Sequence, residues 1–153
     1  MASYRKQIAD ALVTVISGIT GAPSLVVYRD TDVVHPTTDT TPCAIVTAGG
    51  ADPVGPHVSG AGTTVDMGYV RRVYEYGVSI YRDNIGTNQS NLDVNATFIE
   101  LCQKALDGVS LSGVASVDQV DIVRNGAWED MPFKNGVEKS IFGILVYNSE
   151  TRK

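Results

Sequence analysis

The side chains best suited to chemistry are two histidines, and both lie in polar stretches of the sequence. His35 and His57 each stand next to a proline. The acids around them are Asp30, Asp32, Asp39 and Asp52. Imidazole and carboxylate groups together can hold a metal ion, but no spacing here matches a ligand pattern such as H-E-x-x-H or C-x-x-C. We therefore expect solvated loop residues and no metal site.

Glycine clusters and nucleophile motifs do not indicate another reaction. The segments GITGAP and GAGTT are rich in glycine, but neither contains the lysine that a phosphate-binding P-loop needs. No serine stands in a G-x-S-x-G motif. Asp118 and Asp121 lie on opposite faces of a predicted strand, so they would not act as paired carboxylates. The sequence predicts no catalytic residue, no cofactor and no enzymatic activity.

Charge and cysteine usage restrict the class of protein further. Segment 29–66 contains five aspartates and one arginine, so it carries −4 of the net charge of −5. Acidic loops do not attract phosphate backbones, which argues against nucleic-acid binding by general charge. Cys43 and Cys102 stand in apolar runs, and we expect both to be buried free thiols. No uncharged apolar stretch reaches 18 residues, so we predict no membrane span and a cytoplasmic protein.

The stretch 69–82 is the element that we expect the other segments to pack around. Its apolar and polar side chains alternate with a period of two. One parity is apolar apart from Arg72 and consists of Val70, Tyr74, Tyr76, Val78 and Ile80. Such alternation predicts a long strand with one face on a core. The other parity carries Arg71, Glu75 and Ser79, which we expect to face water or a partner.

The remaining elements predict one α+β domain over residues 1–153. Amphipathic helices are expected at 4–19 and 90–107, and strands at 24–28, 43–48, 63–82, 114–124 and 137–148. The order α-β-β-β-α-β-β indicates a mainly antiparallel sheet with both helices on one face. Two long polar or glycine-rich loops are expected at 30–41 and 49–62.

This arrangement resembles the tail terminator family of long-tailed bacteriophages, the lambda-type minor tail proteins that cap the tail tube. The matching segments are the helix YRKQIADALVTVI, the strands VVYR, PCAIVTA and YEYGVSIYR, and the closing stretch VDQVDIVRNGAWEDMPFKNGVEKSIFGILVYNSE. The resemblance implies a homohexameric ring in the virion, made in the host cytoplasm. Such a ring ends tail tube polymerisation and contacts the tail tube protein and the head-completion protein. DNA would pass through its channel without sequence-specific binding.

Further interface candidates follow from residue type and position. Tyrosine and tryptophan are enriched at protein interfaces, and long loops can order against a partner. The candidates beside the strand are Tyr69, Tyr81, Trp128, Asp30, Asp32, Asp39 and Asp52. Three alternatives stay open: another neck or tail-completion protein, a small-ligand-binding α+β domain that uses the histidines, and a single-strand nucleic-acid binder that uses the tyrosines.

Overall fold

The computed structural model describes nine parts of the chain, namely residues 3–19, 25–31, 42–53, 69–83, 88–106, 111, 113–123, 130–133 and 137–151. The two helices are α1, Tyr4–Ser17, and α2, Asn88–Leu106. The six strands are β1 (Val26–Arg29), β2 (Cys43–Pro53), β3 (Tyr69–Asp83), β4 (Val117–Val123), β5 (Asp130–Phe133) and β6 (Val137–Thr151).

The six strands form one mixed sheet in the order β1-β2-β3-β6-β4, and β5 also pairs with β6. The pair β1–β2 is parallel and the other pairs are antiparallel. The α+β class and the order α-β-β-β-α-β-β are therefore confirmed, with β5 as one short additional strand. Strand β5 lies between the predicted strands 114–124 and 137–148, where no strand was expected.

The sheet is built on the antiparallel pair of β3 and β6, which are each 15 residues long. Their register runs from Tyr69 opposite Thr151 to Asp83 opposite Val137. The predicted alternation of β3 is confirmed, because Val78 and Ile80 are fully buried while Glu75 is exposed. One face of this pair therefore supplies the centre of the core.

Both helices cover that one face. Helix α1 begins after Ser3, whose hydroxyl accepts a hydrogen bond from the Lys6 backbone N–H (3.2 Å), and it ends at Gly18. Its buried stripe includes Ile8, Leu12 and Ile16. These side chains share one core with residues of α2 and of strands β2, β3, β4 and β6, among them Phe98, Val46, Tyr76, Val120 and Phe142. The predicted position of both helices on one face of the sheet is confirmed.

Two strands extend beyond their predicted bounds. Strand β2 continues to Pro53, so residues 49–53 are strand where a loop was predicted. Its register against β3 shifts between Ala48 and Ala51, which is a bulge at the two glycines. Strand β6 continues to Thr151 because β3 offers a partner along that whole length. The rest of the predicted loops, at 32–41 and 54–62, lies outside the described residues.

Candidate functional site: the uncovered face of the sheet

No described helix covers the second face of the sheet, which we call the outer face. The paired registers place its residues in cross-strand rows. Described residues of the outer face include Ile45, Thr47, Val73, Glu75, Gly77, Ser79, Asp121, Val123, Ile141, Gly143, Leu145 and Tyr147. The predicted contact parity of β3 therefore lies on this face.

The outer face of β6 is apolar at its centre. Ile141, Leu145 and Tyr147 point outward and are each half-buried, while Phe142, Ile144 and Val146 are buried in the core. A sheet with one solvated face alternates apolar and polar residues, whereas strands covered on both faces are apolar throughout. The centre of β6, residues 141–147, therefore has the composition of a strand with both faces covered.

Two glycines lie side by side in the middle of the outer face. Gly77 of β3 pairs with Gly143 of β6, and the row continues to Thr47 on one side and Val123 on the other. They form the floor of an open depression of about 240 Å³, here called the glycine trough. Its wall includes Glu75, and a Cβ atom placed on Gly77 would meet no atom within 4 Å.

The predicted contact residue Arg71 is bound within its own subunit. Its Nη2 donates to Asp118 Oδ1 at 2.9 Å, and the guanidinium lies 4.7 Å from the centre of the Tyr147 ring. Asp118 also accepts from the Ser149 hydroxyl at 2.8 Å. These bonds fasten β4 to β3 and β6. The Arg71 side chain remains 39 % exposed, so it can still contact another protein.

Glu75 and Ser79 have no such internal network. Glu75 is exposed, and no described residue forms an ion pair or hydrogen bond with its carboxylate. Ser79 is half-buried between Ile45 of β2 and Ile141 of β6. Of the three predicted contact residues, Glu75 is therefore the one with a free charge on the outer face.

Tyr81 differs from the expectation of an accessible ring. It is only 7 % exposed and packs with Cys43, Tyr28 and Ile45 in a small second cluster on the outer face. The Lys139 ammonium lies 5.7 Å from the centre of the Tyr81 ring. These neighbours cover the ring, so Tyr81 offers little surface to a partner.

The other predicted contact residues are not brought together. Asp30 lies at the end of β1, where its carboxylate accepts from the Ala48 N–H (3.0 Å) and from Arg29 (3.4 Å). It therefore fastens β1 to β2. Tyr69 and Asp52 are described only as backbone positions of β3 and β2. Lying outside the described residues are Asp32, Asp39, Trp128, His35 and His57.

A buried polar cluster on the helix side escaped the sequence analysis. The Tyr74 hydroxyl donates to the carboxylate of Glu150, which also accepts from Asn148 Nδ2 at 3.0 Å. The Arg72 Nε lies 3.5 Å from the same carboxylate. Burial, followed by the bond to Glu150, raises the pKa of Tyr74 well above its usual range. Arg72 interrupts the apolar alternation that was predicted for β3, and its ionic partner is the carboxylate of Glu150.

A second buried polar group joins α2 to the sheet. Arg82 is 9 % exposed, and its Nε donates to Asn95 Oδ1 of α2 at 2.5 Å. Asn95 Nδ2 donates in turn to the Ser140 hydroxyl of β6 at 2.8 Å. Burial lowers the pKa of Arg82. The sequence feature that could have indicated this buried group is Asn95 itself, a polar residue on the buried side of α2, two turns from its start.

Both cysteines are buried free thiols, as predicted. Burial raises the pKa of Cys102 to about 12 and also raises that of Cys43. Among the described residues, no three histidine, cysteine or acidic side chains come together as metal ligands. Neither described helix is long and apolar enough to cross a membrane.

Comparison with known proteins finds a similarity in the fold. No protein-family model and no curated protein matches the chain. A solved chain from a structure titled "Virion of native gene transfer agent (GTA) particle" matches with a TM-score of 0.50 and 13 % sequence identity. The match covers 97 % of this chain and 96 % of the other. The chain therefore shares its overall fold with a component of a virion particle.

Proposed function

We propose that this chain is a structural virion protein whose outer face binds other virion subunits. The observation that carries the proposal is the apolar centre of β6, where Ile141, Leu145 and Tyr147 face away from the only described helices. A row of half-buried apolar side chains on a sheet face that no described helix covers is the kind of surface that protein interfaces use. The fold shared with a virion chain and the resemblance to tail terminators both support the same assignment.

The more specific proposal is a ring at the head-proximal end of a phage tail. Six copies would bind the last ring of tail tube protein and stop its polymerisation. The opposite side of the ring would receive the head-completion protein, and DNA would pass through the central channel. This role requires no catalytic residue, cofactor or membrane. A cyclic ring needs two different patches on each copy, and the outer face would be one of them.

The test is assembly with the tail tube protein of the same particle. The purified tube protein is allowed to polymerise alone and with increasing amounts of this chain, and tube lengths are measured by negative-stain electron microscopy. The proposal expects rings at one end of the tubes and shorter tubes as the chain is added. Tubes of unchanged length without a cap would refute the terminator role. Binding to the head-completion protein alone would instead favour another neck protein.

A matched pair of variants connects this assay to the outer face. Leu145→Asp places a charge at the apolar centre of the face, next to Glu75 and Asp121 in its row. Thr14→Asp adds the same charge to an exposed position of α1. We expect Leu145→Asp to lose the capping activity while Thr14→Asp retains it. Capping by a folded Leu145→Asp variant would exclude the outer face as the binding surface.

A further inference from the structure

The carboxylate of Glu75 stands at the wall of the glycine trough without a described partner. On the outer face, its cross-strand neighbour on β6 is Leu145, and Asp121 of β4 follows in the same row. Asp121 already accepts two hydrogen bonds from Gln119 (3.0 and 3.2 Å). The trough therefore offers a free negative charge beside an apolar floor.

Gly77 has no evident role within its own subunit. A glycine in a strand interior weakens the strand, and it often marks a place where another backbone or a ligand approaches closely. At Gly49 and Gly143 a Cβ atom would come within 3.1 Å of Glu75 O and 2.9 Å of Val123 Cγ2, respectively. At Gly77 it would meet open space. The absent side chain at this position keeps the trough open.

An exposed positive charge that complements the Glu75 carboxylate lies on the helix side of the sheet. Arg5 is exposed on α1, and no described residue forms an ion pair with its guanidinium. The Arg5 carbonyl accepts from the Tyr76 hydroxyl at 2.9 Å. Since Tyr76 points toward the helices and Glu75 points away from them, the sheet separates Arg5 from Glu75 within one subunit.

The other exposed bases among the described residues are Lys6 and Lys104. Lys6 forms an ion pair with Asp10 at 2.6 Å. Lys104 follows Glu100 by one turn on α2, but no ion pair joins the two side chains, and its ammonium lacks the planar donor group of an arginine. Arg5 is therefore the one exposed arginine among the described residues, and no acid of the described chain forms an ion pair with it.

We propose that the glycine trough binds Arg5 of a second copy of this chain, with its guanidinium on Glu75 and its aliphatic stem over Gly77. Arginine suits such a site because its planar group binds a carboxylate through two parallel hydrogen bonds, while its stem covers apolar surface. The contact joins the outer face of one copy to the helix layer of the next. Such a heterologous contact repeats around a ring. The inference rests on the proposed ring.

The test is a charge exchange across the contact. Glu75→Arg and Arg5→Glu are made singly and together, and Glu100→Arg serves as the control reversal on an exposed face away from the trough. Circular dichroism establishes that each variant is folded. Mass photometry and electron microscopy then measure ring formation, with tube protein present if the wild type requires it.

Each single reversal is expected to weaken ring formation about tenfold or more, because two like charges then face each other across the contact. The double variant is expected to recover rings within about threefold of wild type, since the pair is restored with its signs exchanged. Glu100→Arg should assemble normally.

The outcomes separate this contact from the ring itself. Wild-type protein that forms no ring, alone or with tube protein, overturns the proposed function and this contact with it. Rings that survive both single reversals overturn the contact and leave the proposed function standing. Loss of rings in Glu75→Arg alone, without rescue by Arg5→Glu, shows that the trough holds a different partner, such as the tube protein, and also overturns the contact.

Discussion

We expect the substitution Gly77→Val to prevent ring assembly without impairing the folding of the subunit. Within the subunit nothing opposes a side chain at this position, because a Cβ atom there has no neighbour within 4 Å. Valine is a strong strand former, and it removes the backbone freedom that glycine has in the unfolded chain. The same side chain would stand in the middle of the glycine trough and exclude a second copy from it.

The expected gain in the free energy of unfolding is about 0.5–1 kcal/mol, the difference between glycine and a good strand former in a strand interior. For a chain of this length it corresponds to a rise in melting temperature of about 1–4 °C. Gly143→Val is the matched comparison, because a Cβ atom there lies 2.9 Å from Val123 Cγ2. Overpacking of this kind costs ~1–3 kcal/mol, so we expect that variant to melt below the wild type.

Differential scanning calorimetry gives both melting temperatures, and mass photometry gives the ring population of each variant. We expect Gly77→Val to be as stable as the wild type or more so, and yet to form no rings. A Gly77→Val protein that assembles normally would show that the trough is not a contact. A fall of several degrees in its melting temperature would show that the position is occupied within the subunit.

Four further predictions concern the interior. Tyr74→Phe should lower the free energy of unfolding by about 1–3 kcal/mol in urea, because the buried Glu150 loses a hydrogen bond; no change would show that the bond is unimportant. Since burial raises the pKa of Tyr74 above its usual value of about 10, the unfolded chain loses that proton first, and stability should fall as pH rises above about 10, less steeply in Tyr74→Phe. Asn95→Ala should cost about 1–3 kcal/mol in the same assay because Arg82 Nε loses its acceptor, and an unchanged midpoint would contradict this. The Cys102 thiol, whose pKa is raised to about 12, should react with a thiol reagent at pH 8 only after unfolding; rapid labelling of the native protein would contradict its burial.

The elements with strong local periodicity were predictable from the sequence. Helix α1 follows from its apolar stripe and its caps, Ser3 and Gly18, because these interactions span only a few residues. The two faces of β3 follow from period-two alternation, and Val78 and Glu75 lie on the sides expected. In both cases the information is contained within one segment.

Features that depend on pairing between distant segments were not predictable. Strand β5 contains Pro132 and shows no alternation, and it forms because residues 137–140 of β6 offer a free edge beyond the part that pairs with β4. The extension of β2 across its bulge likewise depends on β3. Local propensity cannot reveal either pairing.

The candidate site was predicted in part. Glu75 was assigned to a contact face from its parity, and the structure places it on the uncovered side of the sheet. The internal bond of Arg71 was not foreseen, because its partner Asp118 lies 47 positions away in the sequence. The glycine trough exists only because β3 and β6 pair in the register that sets Gly77 beside Gly143. The apolar run 141–147, which occupies both faces of β6, can be read in the sequence, and it supports the proposal that the outer face binds other subunits.

The most direct test of the central claim is a structure of the assembly itself. Cryo-electron microscopy of this chain bound to tubes of its tail tube protein should show a closed ring at one end, with the outer face of each sheet buried against neighbouring subunits. Uncapped tubes, or a ring in which Ile141, Leu145 and Tyr147 remain exposed to solvent, would contradict the account.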